Sequence, residues 1–70
     1  MHVTVNGEPR DLPEALTVAK LLDMLRIAPE RVVVEVNVTI LKRAQHPEAI
    51  LQDGDRVEIV RFVGGGASEI

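Results

Sequence analysis

The residues with the clearest chemical potential are three consecutive glycines, Gly64, Gly65 and Gly66, which directly follow an apolar stretch ending in Phe62 and Val63. Glycine has no Cβ, so a chain end built from it can thread a narrow channel and offer an unhindered carbonyl to an incoming nucleophile. The carboxylate of such an end is inert by itself. With an ordinary pKa of about 3.5 it is ionised at neutral pH, and it becomes an electrophile only when adenylation turns one oxygen into a leaving group. Ala67-Ser68-Glu69-Ile70 follow the glycines, and a chain ending at β-branched Ile70 presents a hindered carboxylate. Either Ala67 to Ile70 are removed so that Gly66, or Gly65, becomes the terminal residue, or these four residues are an extension and the glycine is used in another way. The competing reading is a frayed end without chemistry.

Other residue types offer less. Asp53 and Asp55 flank Gly54, an arrangement better suited to accepting backbone hydrogen bonds in a tight turn than to acid–base work. His2 and His46 have no ligand-type partner at metal-binding spacing, and His46 precedes Pro47 as a loop residue would. No metal site and no catalytic residue are expected. The chain has no cysteine, which removes thiolate nucleophiles, disulfides and cysteine-ligated zinc together.

The elements that must position the glycines follow from periodicity. Val3 and Val5 alternate with His2, Thr4 and Asn6, and Asn6-Gly7 supplies the two positive φ angles of a type I′ turn, so a hairpin is expected over residues 1–12 with Arg10 to Leu12 returning. Val18, Leu21, Leu22 and Leu25 mark one face of a helix of about ten residues, capped by Thr17 and barred from continuing by Pro29. The run Val32 to Val36 reads as the central strand. Ile40 and Leu41 form a short strand, Lys42 to Glu48 an irregular surface, and Asp53-Gly54-Asp55 a turn into a last strand reaching Val63. This ββαββ order predicts an α+β domain over residues 1–63 in which one helix covers one face of a mixed sheet, followed by a flexible glycine-rich tail over 64–70. Seven extended residues reach roughly 23 to 25 Å, enough to enter another protein's active site.

Leu51-Gln52-Asp53-Gly54-Asp55-Arg56-Val57-Glu58-Ile59-Val60, running through Phe62-Val63 into the glycines, resembles the ThiS family of sulfur carriers, as does Asn37 with Ile40 to Arg43. The resemblance is weak over residues 1–31 and strong over 32–66. It implies a ubiquitin-like β-grasp fold and a non-catalytic carrier. In that role Gly66, favoured over Gly65 by the family's ending, is adenylated and converted to a thiocarboxylate that delivers sulfur for the thiazole of thiamin. Gly64, Gly65 and Gly66 would thread the partner's channel. The implied partners are an E1-like adenylating enzyme using ATP and Mg²⁺, a thiazole synthase, a sulfur donor such as a cysteine desulfurase, and a tail-clipping protease. No cofactor would be bound by the carrier itself. Arg43 matches a basic position of the family and, with Arg61, is a docking candidate. Phe62 either closes the core or anchors the activating enzyme. The same ending also fits carriers for cysteine or methionine synthesis, and the small subunit of molybdopterin synthase, although prolines typical of the latter are missing before the glycines. A ubiquitin-like binding module with an inert tail is the alternative from outside the carrier class.

Composition narrows the setting. Seventy residues, 46% of them apolar, make one small domain with too little material to wall in a deep pocket, so function should sit on the surface or at an end. Eight basic residues against eleven acidic ones, with Phe62 the only aromatic, provide neither a basic field nor stacking platforms for nucleic acid. No apolar run approaches the ~20 residues needed to span a bilayer, and Met1 opens directly on a strand-like segment. A cytoplasmic location is the expectation.

Overall fold

The computed structural model describes residues 1–62. Val63 and the expected tail 64–70 lie outside the described residues. Asn6 (φ 50°) and Gly7 (φ 81°) make the expected type I′ turn. This turn joins β1 (His2–Val5) to β2 (Glu8–Asp11), with Val5 opposite Glu8. The returning strand thus begins two residues earlier than Arg10 and stops before Leu12. Pro9 is tolerated because β2 is the sheet's edge, where a missing N–H costs no ladder bond. Leu12 instead turns inward and is buried.

Thr17 caps α1 (Val18–Met24): its backbone is extended and its Oγ1 accepts from the Lys20 N–H at 3.1 Å. The helix has seven residues rather than about ten. It stops at Arg26, whose left-handed φ of 59° lets the Arg26 and Ile27 N–H groups reach back to the carbonyls of Asp23 and Leu22 at 3.0 and 2.9 Å. That is a Schellman closure made by an arginine in the place usually taken by glycine. Pro29 does not end the helix; it opens a 3₁₀ turn, Pro29–Arg31, that feeds β3 (Val32–Val36). β3 turns through Asn37 and Val38, both with positive φ, into β4 (Thr39–Leu41).

The segment 42–48 is more ordered than an irregular surface. It holds a 3₁₀ turn, Arg43–Gln45, closed by Gln45 Oε1 accepting from the Lys42 N–H at 2.7 Å. His46, expected as a loop residue, is only 3% exposed. Its carbonyl and that of Ala49 accept from the Ala19 and Val18 N–H groups. The connection is held down because the first helical N–H groups have no partner within the helix and need acceptors from elsewhere.

The last strand, β5 (Arg56–Arg61), inserts between β1 and β3, giving the order β2-β1-β5-β3-β4. It runs parallel to β1 and antiparallel to β3. The strand order is therefore ββαβββ, with the short β4 a full member of the sheet, and the central strand is β5 rather than the valine run of β3. Valine content reports burial of a face, and β3 is buried on one face only: Val32 and Val34 point into the core while Val33 and Glu35 do not. Position within a sheet depends on pairing along both edges, which composition does not encode. α1 packs Val18, Leu21 and Leu22 onto Val3, Val5, Val32, Val34 and Val57, with Leu12, Leu16 and Leu51 closing the rim. This is the β-grasp arrangement expected from the resemblance, a mixed sheet covered on one face by one helix.

Candidate functional site

β5, the strand that leads to residue 63, is fixed at both ends by hydrogen bonds. Gly54 has a φ of +89°, and its N–H donates to the His2 carbonyl at 2.7 Å. Asp55 Oδ2 accepts from the Gln52 N–H at 2.8 Å, and Asp53 Oδ1 accepts from the His2 N–H at 2.6 Å. The two aspartates are turn formers, as their spacing implied, but Asp53 spends its acceptor across the molecule on β1 rather than within the turn. The turn thereby sets where β5 begins. At its far end the Phe62 N–H donates to the Arg31 carbonyl at 2.8 Å, extending the β3 pairing one residue past the strand.

Phe62 does not close the core. Its ring is 57% exposed and lines a shallow groove of about 290 Å³ together with Val33, Ile40, Lys42, Arg43 and His46. Two of the docking candidates, Phe62 and Arg43, are thus brought to one groove at the end of β5. Arg61 is not: alternation along the strand puts it on the helix side, and it does not line the groove. Gly64, Gly65 and Gly66 lie outside the described residues. A larger groove of about 520 Å³ runs beside α1 between Thr17 and Pro47, and neither Phe62, Arg43 nor Arg61 lines it.

The sheet face that α1 leaves open continues the groove. Val33 pairs directly with Val60, and Ile40 pairs with Glu35 one step along. Ile40 and Val60, on either side of β3 at Val33, are 63% and 55% exposed, so this face offers apolar side chains that a partner can cover. Sequence reasoning quoted Ile40 and Val60 within the motifs of the resemblance and assigned neither them nor Val33 to a docking surface. Their common face follows from the β3–β5 register, which no local signal carries.

His46 lies in a turn, as expected of a loop residue, but it is buried. Its Nδ1 is buried without a hydrogen-bond partner, and burial, followed by the nearby Arg43 guanidinium, pushes its pKa below the ordinary histidine value. Neutral at physiological pH, the ring serves as a wall of the groove. Among the described residues no group of three or more His, Asp or Glu side chains is placed to hold a metal ion, and no helix is long and apolar enough to cross a membrane.

Comparison with known proteins places this geometry in context. The profile of the ThiS family matches residues 3–66. The chain is 36% identical over 69 residues to a thiazole synthase of Paramagnetospirillum magneticum, covering 99% of this chain and 21% of that protein. It spans about a fifth of the length of the thiazole synthases it matches. It is 36% identical over 64 residues to the sulfur carrier protein ThiS of Thermus thermophilus, covering 91% of this chain and 98% of the relative. The crystal structure of the thiamine biosynthesis protein ThiS from Geobacter metallireducens superposes with a TM-score of 0.82 at 42% identity, covering 94% of this chain and all of that one.

Proposed function

The chain belongs to the ThiS family, and from that premise we propose that it is a sulfur carrier for thiamin biosynthesis, a small protein co-substrate and not an enzyme. The observation that carries this reading is the family match running from β1 through β5 and on to Gly66, on a fold whose last strand delivers Phe62 to an exposed groove.

The chemistry asks little of the carrier's own side chains. A carboxylate oxygen of Gly66 attacks the α-phosphorus of ATP on an E1-like adenylating enzyme, pyrophosphate leaves with Mg²⁺, and an acyl-adenylate results. A hydrosulfide equivalent then attacks the carbonyl carbon and AMP departs, leaving the thiocarboxylate. A cysteine desulfurase fits the role of sulfur donor, its persulfide releasing that equivalent on reduction by a thiol. Gly64, Gly65 and Gly66 provide the slender segment that lets the carbonyl enter the adenylation site. Exposure of the Gly66 carboxylate requires cleavage of the Gly66–Ala67 bond, the step we assign to a tail-clipping protease. Phe62, with Ile40 and Val60, is the apolar docking surface for the activating enzyme, and Arg43 stands at its polar rim. Thiazole synthases carry a segment similar to this chain, which supports a thiazole synthase as the protein that receives the sulfur. The setting we assign is cytoplasmic.

The test is reconstitution. The chain ending at Gly66, incubated with an adenylating enzyme of proven activity, ATP, Mg²⁺ and a sulfur source, should exchange one oxygen for sulfur in its intact mass. An unchanged mass would overturn the reading.

A further inference from the structure

The β3–β5 register sets Glu35 directly opposite Glu58. Both point away from α1, because their strand neighbours Val34, Val36, Val57 and Ile59 belong to the core or pack on it. Both are half-buried. The flanking pairs Asn37–Arg56 and Arg31–Phe62 are each joined by an N–H to carbonyl bond of 2.8 Å. Hydrogen-bonded pairs recur at every second residue of an antiparallel ladder, so Glu35 and Glu58 form one, with Cα atoms about 5.5 Å apart. Among the described residues no lysine or arginine nitrogen lies within 4.0 Å of either carboxylate. Arg56 shares their face, two residues from Glu58, without closing an ion pair.

Like charges directly opposite one another weaken a sheet. Many of the fold's local choices agree with its structure: an Asn-Gly turn, a threonine cap, a glycine where φ is +89°. Val38, at a φ of +70°, is a conflict confined to one turn, whereas the Glu35–Glu58 conflict sits on the sheet face that α1 leaves open, where a position can be kept for function. This one lies inside the apolar surface assigned above to docking, with Ile40 opposite Glu35 and Val60 next along the face from Glu58.

We propose that Glu35 and Glu58 are the specificity element of this surface, a pair of carboxylates that receives an arginine side chain of the activating enzyme while apolar groups around that arginine meet Ile40 and Val60. The inference rests on the carrier reading above. A guanidinium fits better than an ammonium, since its planar fork can bond both carboxylates and it is more weakly hydrated. Exclusion of water by the surrounding apolar side chains strengthens the contact. The repulsion present in the free carrier is relieved only in the complex, so the pair should trade stability of the fold for partner recognition.

That trade gives the test two signs. Glu35→Lys places opposite charges across the ladder, and the double variant Glu35→Gln/Glu58→Gln removes the repulsion. Both should raise the urea midpoint of the full chain. Both should also weaken its binding to the cognate adenylating enzyme, measured by calorimetry, by about tenfold or more. Wild-type affinity should fall as salt is added, and that dependence should flatten in the double glutamine variant. Variants that bind within about twofold of wild type would overturn the proposal, as would variants that lose stability and affinity together, which is the signature of a structural role. Unchanged enzyme binding with lost binding to the thiazole synthase would assign the pair to the other partner and also overturn it. If the wild-type chain is bound and thiocarboxylated but the variants behave like it, the inference alone fails; if the wild type is neither bound nor modified, the carrier reading fails with it.

Discussion

The side-chain amide of Asn6 pairs with the backbone of Ile59 as though it were one more residue of β1: its Oδ1 accepts from the Ile59 N–H at 2.7 Å and its Nδ2 donates to the Ile59 carbonyl at 3.2 Å. The ladder between β1 and β5 covers only Thr4 and Val5 against Arg56 and Val57. Past that point β1 turns away, and Asn6 satisfies the edge of β5 on the stretch leading to Phe62. Asn6→Ala should cost about 1–3 kcal/mol, from two bonds to backbone groups and the loss of a residue that tolerates positive φ. Asn6→Asp keeps the acceptor and the turn preference but not the donor, so its urea midpoint should fall between those of Asn6→Ala and the parent.

Val38 presents the opposite case, a residue working against its backbone. It holds a φ of +70° in the two-residue turn between β3 and β4 while its side chain is 83% exposed. A β-branched residue is strained there, and the Asn-Gly pairing that suits such a turn is absent. Val38→Gly should raise stability by about 1 kcal/mol in urea denaturation, strain relief outweighing the added freedom of the unfolded chain. Gly54→Ala is the mirror experiment. Nothing lies within 4 Å of the added Cβ, but φ is +89°, so about 1 kcal/mol should be lost to backbone strain alone.

His46 makes stability depend on pH with a defined sign. Its pKa in the fold lies below the ordinary value of 6.5 because of burial first and the Arg43 charge second. Between those two values the unfolded chain holds a proton that the folded chain does not. The contribution is therefore complete above 6.5, is lost as pH falls toward the lowered folded value, and levels off beneath it. Urea midpoints measured in steps downward from about pH 8 should show this decline, and His46→Leu should remove it.

Docking separates the three residues singled out at the end of β5. Phe62→Ala should leave stability within about 0.5 kcal/mol of the parent, since the ring is mostly exposed, while weakening adenylating-enzyme binding by more than about 1 kcal/mol. Arg43→Ala, at the groove rim, should weaken binding by less. Arg61→Ala, on the other side of the strand, should change it by no more than about twofold. Calorimetric titration of the three variants against one enzyme preparation gives the ranking directly.

What was legible in the sequence was whatever a few consecutive residues decide by their own stereochemistry. Asn6-Gly7 dictates its turn because both residues accept positive φ, Thr17 caps a helix because its hydroxyl reaches an unpaired N–H three residues on, and Asp53-Gly54-Asp55 announces the last strand. The resemblance running from Leu51 to Gly66 rests on the same local register and led to the family. Tertiary structure decided the rest, because it depends on partners distant in the chain. β5 became central by pairing with β1 across some fifty residues, and His46 was buried because the first N–H groups of α1 needed acceptors. Arg26 ended the helix ahead of Pro29 by entering the left-handed region, which few sequences signal without glycine. Nothing in the residues around Glu35 or Glu58 links the one to the other. Only the pairing of β3 with β5 makes them neighbours, and only that adjacency gives their charges a physical consequence.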